Sequence, residues 1–144
     1  MEVFVANEQD IPVDEARLSA LARHSLVAEG VDDAAELSVL LVTHDHMKQL
    51  NHRFAGDDYA TDVLAFPMME DEEESTLLGD VVICPRVARH NAASLGHTLG
   101  RELDVILVHG TLHLLGYDHQ GDDDRSAMDK RLQDLIDSFE FSPV

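Results

Sequence analysis

Positive charge is scarce in this chain: 10 Lys and Arg stand against 29 Asp and Glu, giving a formal charge of -19 over 144 residues. Phosphate contacts need clustered cations, so this balance excludes a broad, sequence-independent grip on nucleic acid, and any contact with a polyanion must be local. The charge is otherwise that of a solvated surface. With one cysteine, Cys84, no internal disulfide can form. The opening MEVFVANEQD has neither the basic stretch nor the apolar run of a secretory signal. No segment approaches the roughly 18–20 uninterrupted apolar residues that cross a bilayer. A cytoplasmic protein that avoids membranes is the expectation. Internal repeats are absent too, and the only biased segment is the acidic stretch from Asp71 to Glu74.

The hydrophobic fraction of 44% is enough for one ordinary core, and a single domain over residues 1–144 is expected. Glu2 to Ala6 reads as an edge strand, and Pro12 through Gly30 as an amphipathic helix with Leu18, Leu21, Ala22 and Leu26 on one side. Further strands are expected at Glu36 to Val42, Asp62 to Phe66 (stopped by Pro67) and Leu77 to Cys84. Helices are expected at His46 to Phe54, Arg86 to Leu95, Leu99 to Leu115 and Asp123 to Phe139, with Glu70 to Glu74 a loop. Irregular interleaving of strands and helices predicts an α/β (α+β) fold, a small mixed β-sheet packed with about five helices. Cys84, in a strand, is expected to be a small buried residue.

Chemistry concentrates in HGTLHLLGYDH at residues 109–119, which holds three of the nine histidines. Four helical residues turn the chain by about 400°, so His109 and His113 project from one face, one turn apart. Gly116 stops the helix and lets the chain double back toward His119. A buried helix could hold such a pair as ordinary hydrogen-bonded histidines, but a third His ten residues after the first matches the long zinc motif of metal hydrolases. Three neutral imidazoles suit one tetrahedral Zn2+ per chain with an open position for water, at the end of a central buried helix. Such water ionises near pH ~7, as ester hydrolysis requires. Gly110 stands where a metalloprotease carries its Glu base, and losing a positioned base forfeits roughly 10²- to 10⁴-fold in rate, so peptidase activity is disfavoured.

Glu102 lies seven residues before His109, about 20° away in helical projection, and is either an orienting group for a ligand His or a first-turn carboxylate. Asp118 is either an imidazole acceptor or base, or a turn residue. Arg86, Arg89, His90 and His97 are expected to form one helical stripe, with Ala88, Ala92 and Leu95 packed inward. The stripe would either contact phosphate, with Arg53 and Arg101 as additions, or be an ordinary surface.

HGTLHLLGYDH closely resembles the signature of the YbeY family. Leu50-Asn51, TDVLAFP at 61–67, Leu78-Gly-Asp80 and Glu102-Leu103 resemble the family's other blocks in the family's order, over nearly the whole chain. The resemblance implies a zinc-dependent, single-strand-specific endoribonuclease acting in 16S rRNA 3′-end maturation and ribosome quality control, with His109, His113 and His119 as ligands. It implies single-stranded ribosomal RNA as substrate, with small-subunit ribosomal proteins as candidate partners and no DNA. The chain departs from the pattern at Ala55, where many members carry an arginine proposed to meet RNA phosphate; Arg53 stands two residues earlier. Candidate catalytic residues are therefore Asp118, Glu102 and Arg53. Two other readings stay open: a zinc hydrolase of a small ester or amide, and a ribosome-assembly factor with a mainly structural zinc. A closed structural site would need a fourth protein ligand such as Asp118.

Overall fold

The computed structural model describes residues 1–68, 76–117 and 121–140. The expected acidic loop at Glu70 to Glu74 and the site candidates Asp118 and His119 lie outside them. Four strands, β1 (Glu2–Asn7), β2 (Glu36–Leu41), β3 (Val63–Pro67) and β4 (Leu77–Ile83), form one sheet in the order β1-β2-β4-β3. β1, β2 and β4 run parallel, and β3 pairs antiparallel with β4. The helices are α1 (Glu15–Ala28), α2 (His44–Ala55), α3 (Pro85–Leu95), α4 (Leu99–Leu114) and α5 (Asp122–Glu140). The mixed sheet and five helices agree with the expected α+β class. Among the described residues no helix is long and apolar enough to cross a membrane.

Strand alternation divides the interior in two. Leu37, Val39 and Leu41 of β2 and Val81 and Ile83 of β4 face the main core, with Leu21 and Leu26 of α1, Leu107 and Leu112 of α4, and Leu135 and Ile136 of α5. The opposite face carries a smaller cluster of Val42, Val82 and Cys84 under Met47 of α2, so Cys84 is buried as expected. Completely burying a Leu or Ile is worth about 1.5–3 kcal/mol, so the larger cluster dominates stability and fixes α4 against the sheet. β3 is an edge strand, which is why it tolerates Pro67 at its end. Gly79 sits at the β2/β4 register shift with φ 146°; a Cβ there would lie 2.3 Å from the Phe66 carbonyl oxygen, so only glycine lets β3 close on β4.

Helix boundaries follow their caps. Asp14 accepts from the Arg17 backbone N–H at 3.0 Å, starting α1 at Glu15, three residues later than the expected Pro12. Thr43 accepts from His46 N–H at 3.2 Å, so α2 begins at His44 rather than His46, and Gly56 ends it at φ 76°. Thr98 caps α4 through the Arg101 N–H at 3.1 Å.

Candidate metal centre

α4 is the most buried helix segment of the site. Leu103, Ile106, Leu107, Val108 and Leu112 all face the core, leaving His109 half-buried and His113 exposed on the flank beside β3. The two imidazoles share one cavity of about 240 Å³ with Gly110 and with Val63, Leu64 and Ala65 of β3. Gly110 makes this arrangement possible. A Cβ at that position would lie 2.9 Å from Cγ1 and 3.5 Å from Cγ2 of Val81, and 3.3 Å from Cγ2 of Val63. The glycine therefore lets α4 approach the sheet closely enough for the histidines on either side of it to border β3. The same contact crowds any side chain at the position where peptidases carry Glu.

Two imidazoles on one wall of an open cavity are a donor set that suits a borderline-soft divalent ion such as zinc. Among the described residues no three His, Cys, Asp or Glu side chains come together as a metal site. Of the three expected ligands, His109 and His113 are among the described residues, and they line one cavity.

The other predicted residues are dispersed. Glu102 is buried, and its carboxylate pairs with His97 Nε2 at 2.5 Å, bracing the turn between α3 and α4. His97 is thereby removed from the expected stripe: α3 ends at Leu95, Gly96 takes φ 74°, and the His97 N–H turns back to the Ala92 carbonyl. Leu95 is 66% exposed rather than packed inward, whereas Ala88 and Ala92 are buried as expected. Arg86, Arg89 and His90 are exposed on α3. Arg101 donates to Gln133 of α5 at 3.1 Å, away from the cavity lining. Arg53 is exposed on α2, its guanidinium 5.2 Å from the centre of the Phe54 ring, which meets Phe66 edge-on at 5.1 Å.

Two networks near α4 escape a sequence reading, because their members lie far apart in the chain. Arg17 of α1 donates to buried Asp104 of α4 at 2.8 Å and stands over the Phe139 ring of α5. The hydrogen bond to Asp104 raises the Arg17 pKa. Where α4 gives way to the segment carrying Asp118 and His119, Tyr117 donates its hydroxyl to Glu29 at 2.9 Å, and Arg131 of α5 grips the same carboxylate. Burial, then the bond to Glu29, raises the Tyr117 pKa; the bond to Glu29 does the same for Arg131. Gly116, at φ 99°, permits the turn that brings Tyr117 to α1.

Set beside known proteins, the chain matches a model of the family described as Endoribonuclease YbeY over residues 4–140. A Salinispora tropica protein named Endoribonuclease YbeY is 46% identical over 140 residues, covering 89% of each chain. Its namesake in Thermobifida fusca is 45% identical over 143 residues, covering 94% of this chain and 92% of its own. The solution structure of a Thermotoga maritima protein is similar at a TM-score of 0.61 and 27% identity, covering 98% of this chain and 93% of that one.

Proposed function

Because the chain belongs to the YbeY endoribonuclease family, we propose that it is a zinc-dependent endoribonuclease specific for single strands. Its role on this reading is 16S rRNA 3′-end maturation and ribosome quality control, in the cytoplasm, as one domain over residues 1–144. The observation that carries the reading is the cavity in which His109 and His113 flank Gly110 against β3. His119, ten residues after His109 in the family signature, is the third ligand on this reading. Bound there, zinc would supply Lewis acidity toward a phosphodiester oxygen and lower the pKa of water.

The chain's own residues divide the remaining work. α4 holds the two imidazoles one turn apart at fixed depth, since its apolar face cannot rotate without exposing Leu107 and Leu112. Position 110 supplies no base, since it is glycine and Val81 crowds the space a side chain would need. Asp118, next to His119, is the candidate to take the proton from the attacking water. Glu102 acts through His97 as a brace of the α3–α4 turn. Arg53, exposed near the family's arginine position, is a candidate phosphate contact.

The test compares cleavage of one sequence presented as single strand and as duplex, together with a 16S precursor carrying its 3′ extension. Zinc-dependent cutting of the single strand and trimming of the precursor are expected. Hydrolysis of small esters with RNA left intact would point to the small-molecule reading instead.

A further inference from the structure

A second concavity lies at the carboxyl ends of the parallel strands. β1, β2 and β4 end together at Asn7, Leu41 and Ile83. After β1 the chain passes to α1 on the main-core face, after β2 to α2 on the opposite face, and after β4 back to α3, whose Ala88 joins the main core. In open sheets, ligands bind in the crevice where successive connections part to opposite faces. Here that crevice encloses about 340 Å³, lined among others by Gln9 and Asp10 after β1, Thr43 and His44 after β2, and Arg86 and Arg89 of α3.

Its charge is unusual for this chain. Arg17, Lys48, Lys130 and Arg131 are tied to carboxylates in ion pairs; among the described residues the other six cations make none, and of these Arg86 and Arg89 are the two that line this crevice. Both arginines are exposed, and α3 has no acidic residue in its first turn and no side-chain cap. Two guanidinium groups against the single lining carboxylate, Asp10, leave the crevice positive in a protein of charge -19. Two guanidinium groups favour an anionic occupant, and a phosphate is the anion whose geometry suits arginine best.

We propose that this crevice is a phosphate subsite in which Arg86 and Arg89 hold the backbone of single-stranded RNA apart from the α4 cavity. The crevice draws its lining from the segments after β1 and β2 and from α3, the cavity from β3 and α4, and β4 stands between β2 and β3 in the sheet, so the two are separate sites on one molecule that a single extended strand of RNA would have to span. The proposal rests on the nuclease reading and adds a second point of attachment to it. It also explains how so acidic a chain holds a polyanion: by a local pair of cations rather than a basic surface.

The experiment measures fluorescence anisotropy of a labelled 2′-O-methyl single strand, checked on a gel to be intact after each titration, against salt, for the zinc-loaded wild type, R86A/R89A and the charge-matched control R23A/R125A. Each single-strand phosphate contact contributes about 0.7 to the slope of log K against log salt. Losing two lowers it by about 1.4, so affinity between about 50 and 200 mM salt should change about sevenfold less in R86A/R89A than in the wild type. The control should keep the wild-type slope, R86K/R89K should recover most of it, and zinc content should be unchanged throughout. An unchanged slope in R86A/R89A, or an equal fall in the control, overturns the subsite and leaves the nuclease reading standing. A wild type that does not bind the strand even at low salt overturns both.

Discussion

Gly110→Ala separates the two influences that meet at the candidate metal centre. In an open helix the change stabilises by about 1 kcal/mol, the cost of an interior glycine. Here the new Cβ falls 2.9 Å from Cγ1 of Val81, which is fully buried in β4 and, being β-branched, has little freedom to turn away. Overpacking of this kind costs about 1–3 kcal/mol. The balance is a net loss of about 0–2 kcal/mol. Relief comes only by lifting α4, which carries His109 and His113 away from β3 and should weaken zinc binding. Urea denaturation of the wild type, G110A, V81A and G110A/V81A checks this, with zinc affinity measured by chelator competition. Removing the Val81 methyls leaves room for the new Cβ, so the double variant should be less destabilised than the sum of the singles by about 1 kcal/mol or more. A G110A protein more stable than the wild type with unaltered zinc affinity, or strict additivity within about 0.5 kcal/mol, would refute the packing argument.

His113→Ala should drop zinc content well below about one per chain while leaving the fold intact, because the side chain is exposed and the α4 core face is untouched; circular dichroism alongside metal analysis tests both halves. Arg17→Ala leaves the Asp104 carboxylate buried without its partner. It should cost about 1–3 kcal/mol in urea, less than a fully buried pair, since the Arg17 side chain is 40% exposed. Tyr117 binds its proton more tightly folded than unfolded, so its contribution to stability is full below its ordinary pKa of 10.0 and is lost as pH rises through the raised folded value. In a Tyr59→Phe background, tyrosinate absorbance should report that upward shift, and adding Tyr117→Phe should flatten the loss of stability above about pH 10.

The strand and helix sequence was legible because periodicity reports burial directly. β2 was legible as an apolar strand whose Leu37, Val39 and Leu41 the structure buries, and the α4 pattern leaves His109 and His113 on the flank that its apolar face does not bury. Starts of helices were read less well, since Pro12 and His46 fit a helix but the side chains of Asp14 and Thr43 decide where one begins. The expected α3 stripe failed at His97 for a related reason. Projection treats the helix as continuous, whereas Gly96 reverses the backbone and delivers His97 to Glu102. Gly110 was legible as a missing base but not as a packing requirement, because the contact with Val81 spans 29 residues of sequence. The Glu29–Tyr117–Arg131 and Arg17–Asp104 ties lay equally beyond reach, their members being 87 to 102 residues apart with no local pattern to mark them.

The central claim, a single zinc bound through the α4 histidines and needed to cut RNA, is tested most directly by one paired measurement. Untagged protein is assayed for metal content and for cleavage of a single-stranded RNA, then stripped with a chelator, assayed again, and reloaded with zinc. The account predicts about one zinc per chain, loss of cleavage with the metal and recovery on reloading. A stoichiometry near two, no metal in the purified protein, or cleavage that survives its removal would contradict it.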